Sequence, residues 1–387
     1  MNNSAHQVVV LGSTGSIGVN ALEVIAASAG RLQLVGLSGH SRLDLLIEQA
    51  QQHRPRWIAA SDPDLASQQD WKQLPGECQL LTGQEGIQQM ASDPEVETVL
   101  VAIVGSAGLM GTWSALESGK RVALANKESL VMAGGPVTEL AARQGGSIVP
   151  VDSEHSAIFQ ALEGQQRSEL QRIILTASGG PFREWTAEQL EQVSVEDALA
   201  HPTWQMGPKI TVDSATMMNK AFEIIEARWL FDIPEDQIDV LIHPQSLVHS
   251  MVEFQDGSLL AQLSPPDMKL PIQYALSYPH RWDGPAERMD LSRAWQLEFS
   301  PPDPERFPAL ELGREVARSG GTSGAVLNAA NESVVAEFLG GRLRFNEIVP
   351  ACRAVLEHHD FESHPSLERL VELDRWAREE ITKWNCR

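Results

Sequence analysis

The stretch VVVLGSTGSIG, residues 8–18, decides how the N-terminal part of the chain folds. Its first four residues are apolar, as is typical of a strand buried on both faces of a parallel sheet. A glycine-rich turn follows at once, and residues 19–29 have the apolar spacing of a helix. Strand, turn and helix in this order are the setting of a dinucleotide-binding turn, although the glycines are spaced GxxGxxG and not GxGxxG. A glycine-rich turn without a ligand is the alternative.

Further apolar strands alternate with helical patterns along residues 1–150. Candidate strands are residues 32–37, 57–60, 98–104, 121–125 and 147–151. This alternation predicts an α/β domain with a Rossmann-like, doubly wound parallel sheet. In such sheets ligands bind beyond the carboxyl ends of the strands.

The end of the second predicted strand favours NADP over NAD. An NAD enzyme usually carries an acidic residue there to bind the ribose 2′-hydroxyl. Residues 38–42 read SGHSR and contain no acid, so Gly39, Ser41 and Arg42 are candidate contacts of a 2′-phosphate. The alternative for Arg42 is an ordinary surface arginine.

Two carboxylates follow the last strand of this domain, in PVDSEHS, residues 150–156. If the segment is extended, Asp152 and Glu154 point to the same side and could bind Mg²⁺ or Mn²⁺. A polar strand end or a turn is the alternative. Residues 126–128, Asn-Lys-Glu, follow another strand, so topology places both groups in one crevice.

Residues 172–231 contain three candidate substrate-binding features. Ser178 precedes a Gly-Gly turn that could bind a phosphate, or could be only a turn. The irregular loop 201–209 carries Trp204 and is typical either of a lid or of a packed surface loop. Asp213-Ser214 is predicted to cap a helix that runs to Phe231.

One face of that predicted helix is polar and consists of Asn219, Lys220, Glu223 and Glu226. A solvated face is the default interpretation. The functional interpretation makes Glu223 a third metal ligand and places Ser214, Asn219 and Lys220 around a phosphate.

The rest of the chain predicts two further parts. Candidate strands at 240–242, 247–254 and 258–263, the last two joined by a hairpin turn at 255–257, indicate an α+β catalytic domain over residues 151–285. Residues 286–308 are predicted to be a linker, and helical spacing over residues 309–387 predicts a C-terminal helical bundle.

Composition excludes several classes of protein. The formal charge is 30 − 52 = −22, which disfavours nucleic-acid binding. The three cysteines are scattered, which disfavours a disulfide framework or a zinc site. No apolar run approaches membrane-spanning length, and the N-terminus lacks a signal-peptide pattern, so a cytoplasmic location is expected.

In combination, these stretches resemble the 1-deoxy-D-xylulose 5-phosphate reductoisomerase family over essentially the whole chain. The resemblance is carried by residues 12–18 (GSTGSIG), 124–129 (LANKES), 150–160 (PVDSEHSAIFQ) and 212–220 (VDSATMMNK). The last two, in this order, are very specific.

The resemblance implies a role for each matching residue. The implied metal ligands are Asp152, Glu154 and Glu223; the implied phosphate contacts are Ser178, Ser214, Asn219 and Lys220, with His201 nearby; Lys127 and Ser153 would contact the reacting end of the substrate. The implied lid carries Trp204, and the implied cofactor contacts are Thr14, Gly15, Ser16, Ile17, Asn126, Glu128, Met206 and Gly207. His249 matches a family histidine, for which a structural role is expected.

The resemblance also implies an activity and an assembly. The activity is the rearrangement of 1-deoxy-D-xylulose 5-phosphate and its reduction by NADPH to 2-C-methyl-D-erythritol 4-phosphate, in isoprenoid precursor biosynthesis. The metal would be Mg²⁺ or Mn²⁺, with Co²⁺ a further candidate, and the assembly a V-shaped homodimer. The rivals are another NADP-dependent sugar-phosphate or semialdehyde oxidoreductase and a non-catalytic NADP-binding sensor.

Overall fold

The computed structural model describes residues 5–204 and 206–384, which form two compact units. The first unit joins the chain up to Ser129 with Val137–Ser156 and Asp267–Glu287; the second joins Leu130–Pro136, Ala157–Pro266 and the chain from Arg288 onward. The predicted domain boundaries near residues 150, 285 and 308 stay a prediction.

The first unit is built on a seven-stranded sheet in which every neighbouring pair is parallel. Its strands are β1 (His6–Leu11), β2 (Leu32–Gly39), β3 (Trp57–Ala60), β4 (Gln79–Thr82), β5 (Thr98–Val101), β6 (Arg121–Leu124) and β7 (Ser147–Pro150). Their order is β4-β3-β2-β1-β5-β6-β7, so the chain reverses direction across the sheet between β1 and β5. This confirms the doubly wound sheet, and the reversal marks the place where such sheets bind ligands.

Helices connect these strands, as parallel pairing requires. They are α1 (Ser16–Ala27), α2 (Leu43–His53), α3 (Pro63–Gln68), α4 (Gly83–Ser92), α5 (Leu109–Glu117) and α6 (Glu128–Gln144). Helix α6 is kinked at Ala133, where the backbone is not helical, and Pro136 lacks the amide hydrogen that would continue the ladder.

At two of its three glycines, the glycine-rich turn has no room for a Cβ atom. Gly12 has φ +85°, and a Cβ there would lie 2.6 Å from the carbonyl oxygen of Ala102. A Cβ on Gly18 would lie 2.3 Å from the carbonyl oxygen of Gly12. Glycine at both positions therefore lets α1 start directly against the end of β1.

The second unit contains a four-stranded mixed sheet in the order β11-β10-β8-β9. The helices that precede and interrupt it are α7 (Ser153–Leu162), which begins in the first unit, α8 (Ala187–Leu190), α9 (Val195–Leu199), α10 (Pro208–Ala215) and α11 (Met218–Leu230). The strands are β8 (Leu170–Ala177), β9 (Ile238–Ile242), β10 (Val248–Phe254) and β11 (Leu259–Leu263). The predicted hairpin joins β10 and β11, with Gly257 at φ +83°.

The chain then returns to the first unit and ends in helices. Helix α12 (Lys269–Ser277) packs on α1. The last helices are α13 (Ala309–Ser319), α14 (Ser323–Leu339), α15 (Ile348–His358) and α16 (Leu367–Trp384), which confirms the helical C-terminal part. They share a hydrophobic core with α11, in which Phe222, Phe338 and Ile381 are at most 2% exposed.

Two local predictions are wrong. Asp152 and Glu154 do not lie on an extended segment, because β7 ends at Pro150 and α7 begins at Ser153. Asp213 and Ser214 do not cap a long helix: they lie inside α10, which begins at Pro208, a residue whose fixed φ suits the first helical turn. The break before α11 is at Met217, which has φ +62°.

A Gly18→Ala substitution should destabilise the first unit by roughly 1–3 kcal/mol, because the added methyl group has no room against the backbone of the turn. Thermal unfolding would measure the effect. The matched control is Gly76→Ala, whose added Cβ would meet nothing within 4 Å. Equal melting temperatures for the two variants would contradict the close approach of Gly18 to the backbone of the turn.

Candidate active site

The glycine-rich turn has the properties of an anion-binding site. Gly15 and Ile17 are half-buried and Ser16 is exposed, whereas Thr14 is buried. Among the described residues, no side chain caps the start of α1, and its first turn contains no acid. The first amide groups of α1 are therefore available to a phosphate, and the cradle of glycines fits a dinucleotide.

The turn after β2 places exposed polar side chains at the same edge of the sheet. His40, Ser41 and Arg42 are exposed, and Nδ1 of His40 lies 3.0 Å from Oγ of Ser61. Ser61 was not predicted as a site residue. It follows β3, which pairs in parallel with β2, so only the strand order brings it beside His40.

The turn after β6 is fixed by a buried amide. Nδ2 of Asn126 donates to the carbonyl oxygens of Ile103 and Gly105, at 2.7 and 2.9 Å, and to Oε2 of Glu128 at 2.9 Å. Its Oδ1 accepts a hydrogen bond from the backbone amide of Ser129 at 3.0 Å. Asn126 thus ties the loop after β5 to the start of α6, and Lys127 lies on this fixed turn.

The turns after β6 and β7 bring two predicted site residues together. Nζ of Lys127 lies 3.1 Å from Oδ2 of Asp152, and their side chains are 7% and 15% exposed. Oδ1 of Asp152 accepts from the backbone amide of Glu154 at 3.2 Å and lies 3.6 Å from Nδ1 of the buried His155. Oγ of Ser153 donates to Oε2 of Glu154 at 2.5 Å.

This donor set suits a hard divalent cation. Asp152 and Glu154 offer carboxylate oxygens and are half-buried, which is the chemistry that Mg²⁺ and Mn²⁺ prefer. His155 was not predicted as a site residue, and its contact with Asp152 arises because α7 begins between them.

In the second unit, the polar face of α11 is buried. Lys220, Glu223 and Glu226 are 3%, 0% and 3% exposed, so the solvated interpretation of this face is wrong. Oε1 of Glu223 accepts from Nδ2 of Asn219 at 2.6 Å, and Oε2 accepts from Nζ of Lys220. Burying a carboxylate costs free energy unless it is paired, and Glu223 is paired with an amide and an ammonium group. A buried polar group of this kind is typical of a functional site.

Ser178 and His201 also lie together in the second unit. Oγ of Ser178 lies 3.1 Å from Nε2 of His201, and Nδ1 of His201 accepts from the backbone amides of Thr203 and Trp204 at 3.1 and 2.9 Å. Because Nδ1 accepts, the neutral ring carries its proton on Nε2 and donates to Ser178. Burial lowers the pKa of His201 below its ordinary value, which favours this neutral form.

The predicted lid leads from His201 into α10. The Trp204 ring lies 6.5 Å from the ring of His249, whose Nε2 is 3.2 Å from the carbonyl oxygen of Ser264. Met206 is half-buried and Gly207 exposed, and Gln205 lies outside the described residues. Ser214 is half-buried, three residues before the break at Met217.

Three family models match: 1-deoxy-D-xylulose 5-phosphate reductoisomerase over residues 8–134, its C-terminal domain over residues 148–231, and the DXP reductoisomerase C-terminal domain over residues 263–380.

Relatives match over nearly the full chain. The 1-deoxy-D-xylulose 5-phosphate reductoisomerase of Heliobacterium modesticaldum is 51% identical, over 97% of this chain and 97% of its own length. That of Rhodopirellula baltica is 49% identical, over 97% and 94%.

Solved structures also match over nearly the full chain. A DOX-P reductoisomerase in complex with NADPH, fosmidomycin and magnesium is 41% identical with a TM-score of 0.92, over 98% of both chains. The Zymomonas mobilis enzyme in complex with NADPH is 41% identical with a TM-score of 0.90, over 98% of this chain and 99% of its own. The chain belongs to the 1-deoxy-D-xylulose 5-phosphate reductoisomerase family.

Proposed function

We propose that the chain rearranges 1-deoxy-D-xylulose 5-phosphate and reduces the product to 2-C-methyl-D-erythritol 4-phosphate, using NADPH and a divalent metal. The observation that carries this proposal is the contact between Lys127 and Asp152, at the carboxyl edge of the sheet whose first strand ends in the dinucleotide turn. Family membership supplies the substrate.

The cofactor would bind at the turns after β1, β2 and β6. The proposed contacts are Thr14, Gly15, Ser16, Ile17, Gly39, Ser41, Arg42, Asn126, Glu128, Met206 and Gly207. The exposed start of α1 supports the pyrophosphate position, and exposed Ser41 and Arg42 support a 2′-phosphate.

The proposed metal ligands are Asp152, Glu154 and Glu223. When bound, the metal supplies Lewis-acid polarisation of substrate oxygens and NADPH supplies the hydride. Lys127 can donate to the oxyanion that develops as the carbon skeleton rearranges, and Ser153 would contact the same end of the substrate.

The substrate phosphate would be bound by Ser178, Ser214, Asn219 and Lys220, with His201 nearby. A grip on a group remote from the reacting carbons supplies binding energy for orientation. Trp204 would close over the substrate and keep water from the aldehyde until it is reduced.

The semialdehyde dehydrogenase alternative is disfavoured by the cysteines. That chemistry requires a thiolate nucleophile. Burial raises the pKa of both Cys78 and Cys352, the described cysteines, so each is held as an unreactive thiol.

We also propose a homodimer located in the cytoplasm. The edge strand β11 exposes Leu259, Leu260 and Leu263 by 53%, 38% and 37%, and Leu291 is 79% exposed. An apolar edge strand is a template for association with another chain. The free thiols of Cys78 and Cys352 suit a reducing compartment. No helix in the described part of the chain could span a membrane.

The activity is tested by NADPH oxidation with 1-deoxy-D-xylulose 5-phosphate, first in the presence of a chelator and then with Mg²⁺ or Mn²⁺ restored. The proposal predicts turnover only when both sugar phosphate and metal are present. Tight NADPH binding without turnover under any of these conditions would favour the sensor alternative.

Asp152→Asn should lower turnover by at least about 100-fold and weaken Mn²⁺ binding, because it removes a charged metal ligand. NADPH affinity should stay unchanged. The control is Glu163→Gln, an exposed carboxylate just beyond the end of α7. Wild-type turnover by the Asp152→Asn variant would contradict the assignment of Asp152 as a metal ligand.

The His201→Gln variant should melt a few degrees below the wild type at pH 7.5, because the backbone amides of Thr203 and Trp204 lose their acceptor. In the folded protein the pKa of His201 lies below its ordinary value of 6.5. The neutral ring therefore contributes its full stabilisation of the fold above pH 6.5, and this contribution is lost as the pH falls from 6.5 through the lowered pKa. The difference between variant and wild type should therefore shrink towards pH 5. A difference that grows on acidification would refute the proposed tautomer.

Leu259→Glu combined with Leu263→Glu should convert the proposed dimer into a monomer, because both charges would be buried at the interface. Sedimentation velocity measures the mass. Val371→Glu, at a 41% exposed position on α16, is the control and should leave the mass unchanged. A wild-type chain that sediments as a monomer would rule the dimer out.

A further inference from the structure

Ser13, the second residue of the glycine-rich turn, is completely buried and contacts the protein on every polar atom. Its backbone amide donates to the carbonyl oxygen of Ser38 at 2.8 Å. Its Oγ lies 2.7 Å from Oε1 of Gln49, and its carbonyl oxygen accepts from Nε2 of Gln49 at 3.0 Å. Ser38 adds a further bond, because its Oγ accepts from the amide of Gly12 at 2.9 Å.

Gln49 lies on α2, among apolar neighbours that include Leu46 and Ala50, and is 5% exposed. A leucine would pack at such a position without the cost of burying an amide. Both ends of the Gln49 amide are satisfied by one residue, Ser13, so the side chain acts as a clamp on this turn.

The clamp fixes the direction in which the backbone amide of Thr14 points. The carbonyl group of Ser13 and the amide group of Thr14 belong to one planar peptide, and in a trans peptide they point in opposite directions. Because Gln49 holds the Ser13 carbonyl oxygen towards α2, the Thr14 amide must point away from α2.

We propose that Gln49 is a positioning residue for NADPH: through Ser13 it sets the orientation of the Ser13–Thr14 peptide at the pyrophosphate-binding turn. This inference rests on the proposed binding of NADPH to that turn. Gln49 itself does not contact the cofactor.

The test is Gln49→Leu, which keeps the volume and removes the clamp. The dissociation constant of NADPH, measured by fluorescence titration without substrate, and the KM for NADPH should both rise about tenfold, which corresponds to ~1.4 kcal/mol. The kcat at saturating NADPH and the KM for 1-deoxy-D-xylulose 5-phosphate should stay within about twofold of wild type.

Gln51→Leu is the matched control, since Gln51 is exposed on the same helix and donates to Gln73. Gln49→Glu is a second variant for the case that Gln49→Leu does not fold. The ionised carboxylate of that second variant would accept from the Ser13 hydroxyl but could not donate to the Ser13 carbonyl, so it should also weaken NADPH binding.

A merely structural role predicts a different result. A lower melting temperature and a smaller active fraction, with the dissociation constant of NADPH unchanged, would overturn the inference. Wild-type protein that does not bind NADPH at all would instead overturn the proposed function.

Discussion

Parallel pairing of β1 with β2 on one side and β5 on the other is the constraint on which the first unit depends. It sends the turns after β1, β2, β6 and β7 to one edge of the sheet. The core of this arrangement is Val8–Leu11, whose four side chains are fully buried. Strand pairing alone therefore places three groups at that edge: the glycine-rich turn, the exposed polar residues after β2, and the pair of Lys127 and Asp152.

Much of the first unit could be predicted because its signals are local. An apolar run, glycines three apart and a helical pattern specify strand, turn and helix in succession. The end of β7 was harder. Asp152 and Glu154 looked like an extended pair, but Asp152 accepts backbone hydrogen bonds from residues 154 and 155 at the start of α7. The break at Met217 depends on a left-handed backbone conformation at a residue type that rarely adopts it, so no local signal predicts it.

Burial of the polar face of α11 was the feature least accessible to sequence reasoning. Periodicity identifies which residues share a helix face but not what covers that face. Glu223 is fully buried beside Asn219 and Lys220. A buried polar cluster stabilises the fold less than apolar packing would, and such clusters are typical of functional sites. The same holds for Gln49, which looks like an ordinary polar position on α2 until the sheet places it beneath the glycine-rich turn.

The most direct test of the proposed function is the identity of the product. Carbon-13 NMR of the compound formed from labelled 1-deoxy-D-xylulose 5-phosphate, NADPH and Mg²⁺ distinguishes rearrangement with reduction from reduction alone. The proposed function predicts the branched 2-C-methyl-D-erythritol 4-phosphate, with its methyl group on a carbon that bears no hydrogen. A straight-chain polyol phosphate, with the original carbon skeleton intact, would contradict it and indicate a simple NADPH-dependent ketose reductase.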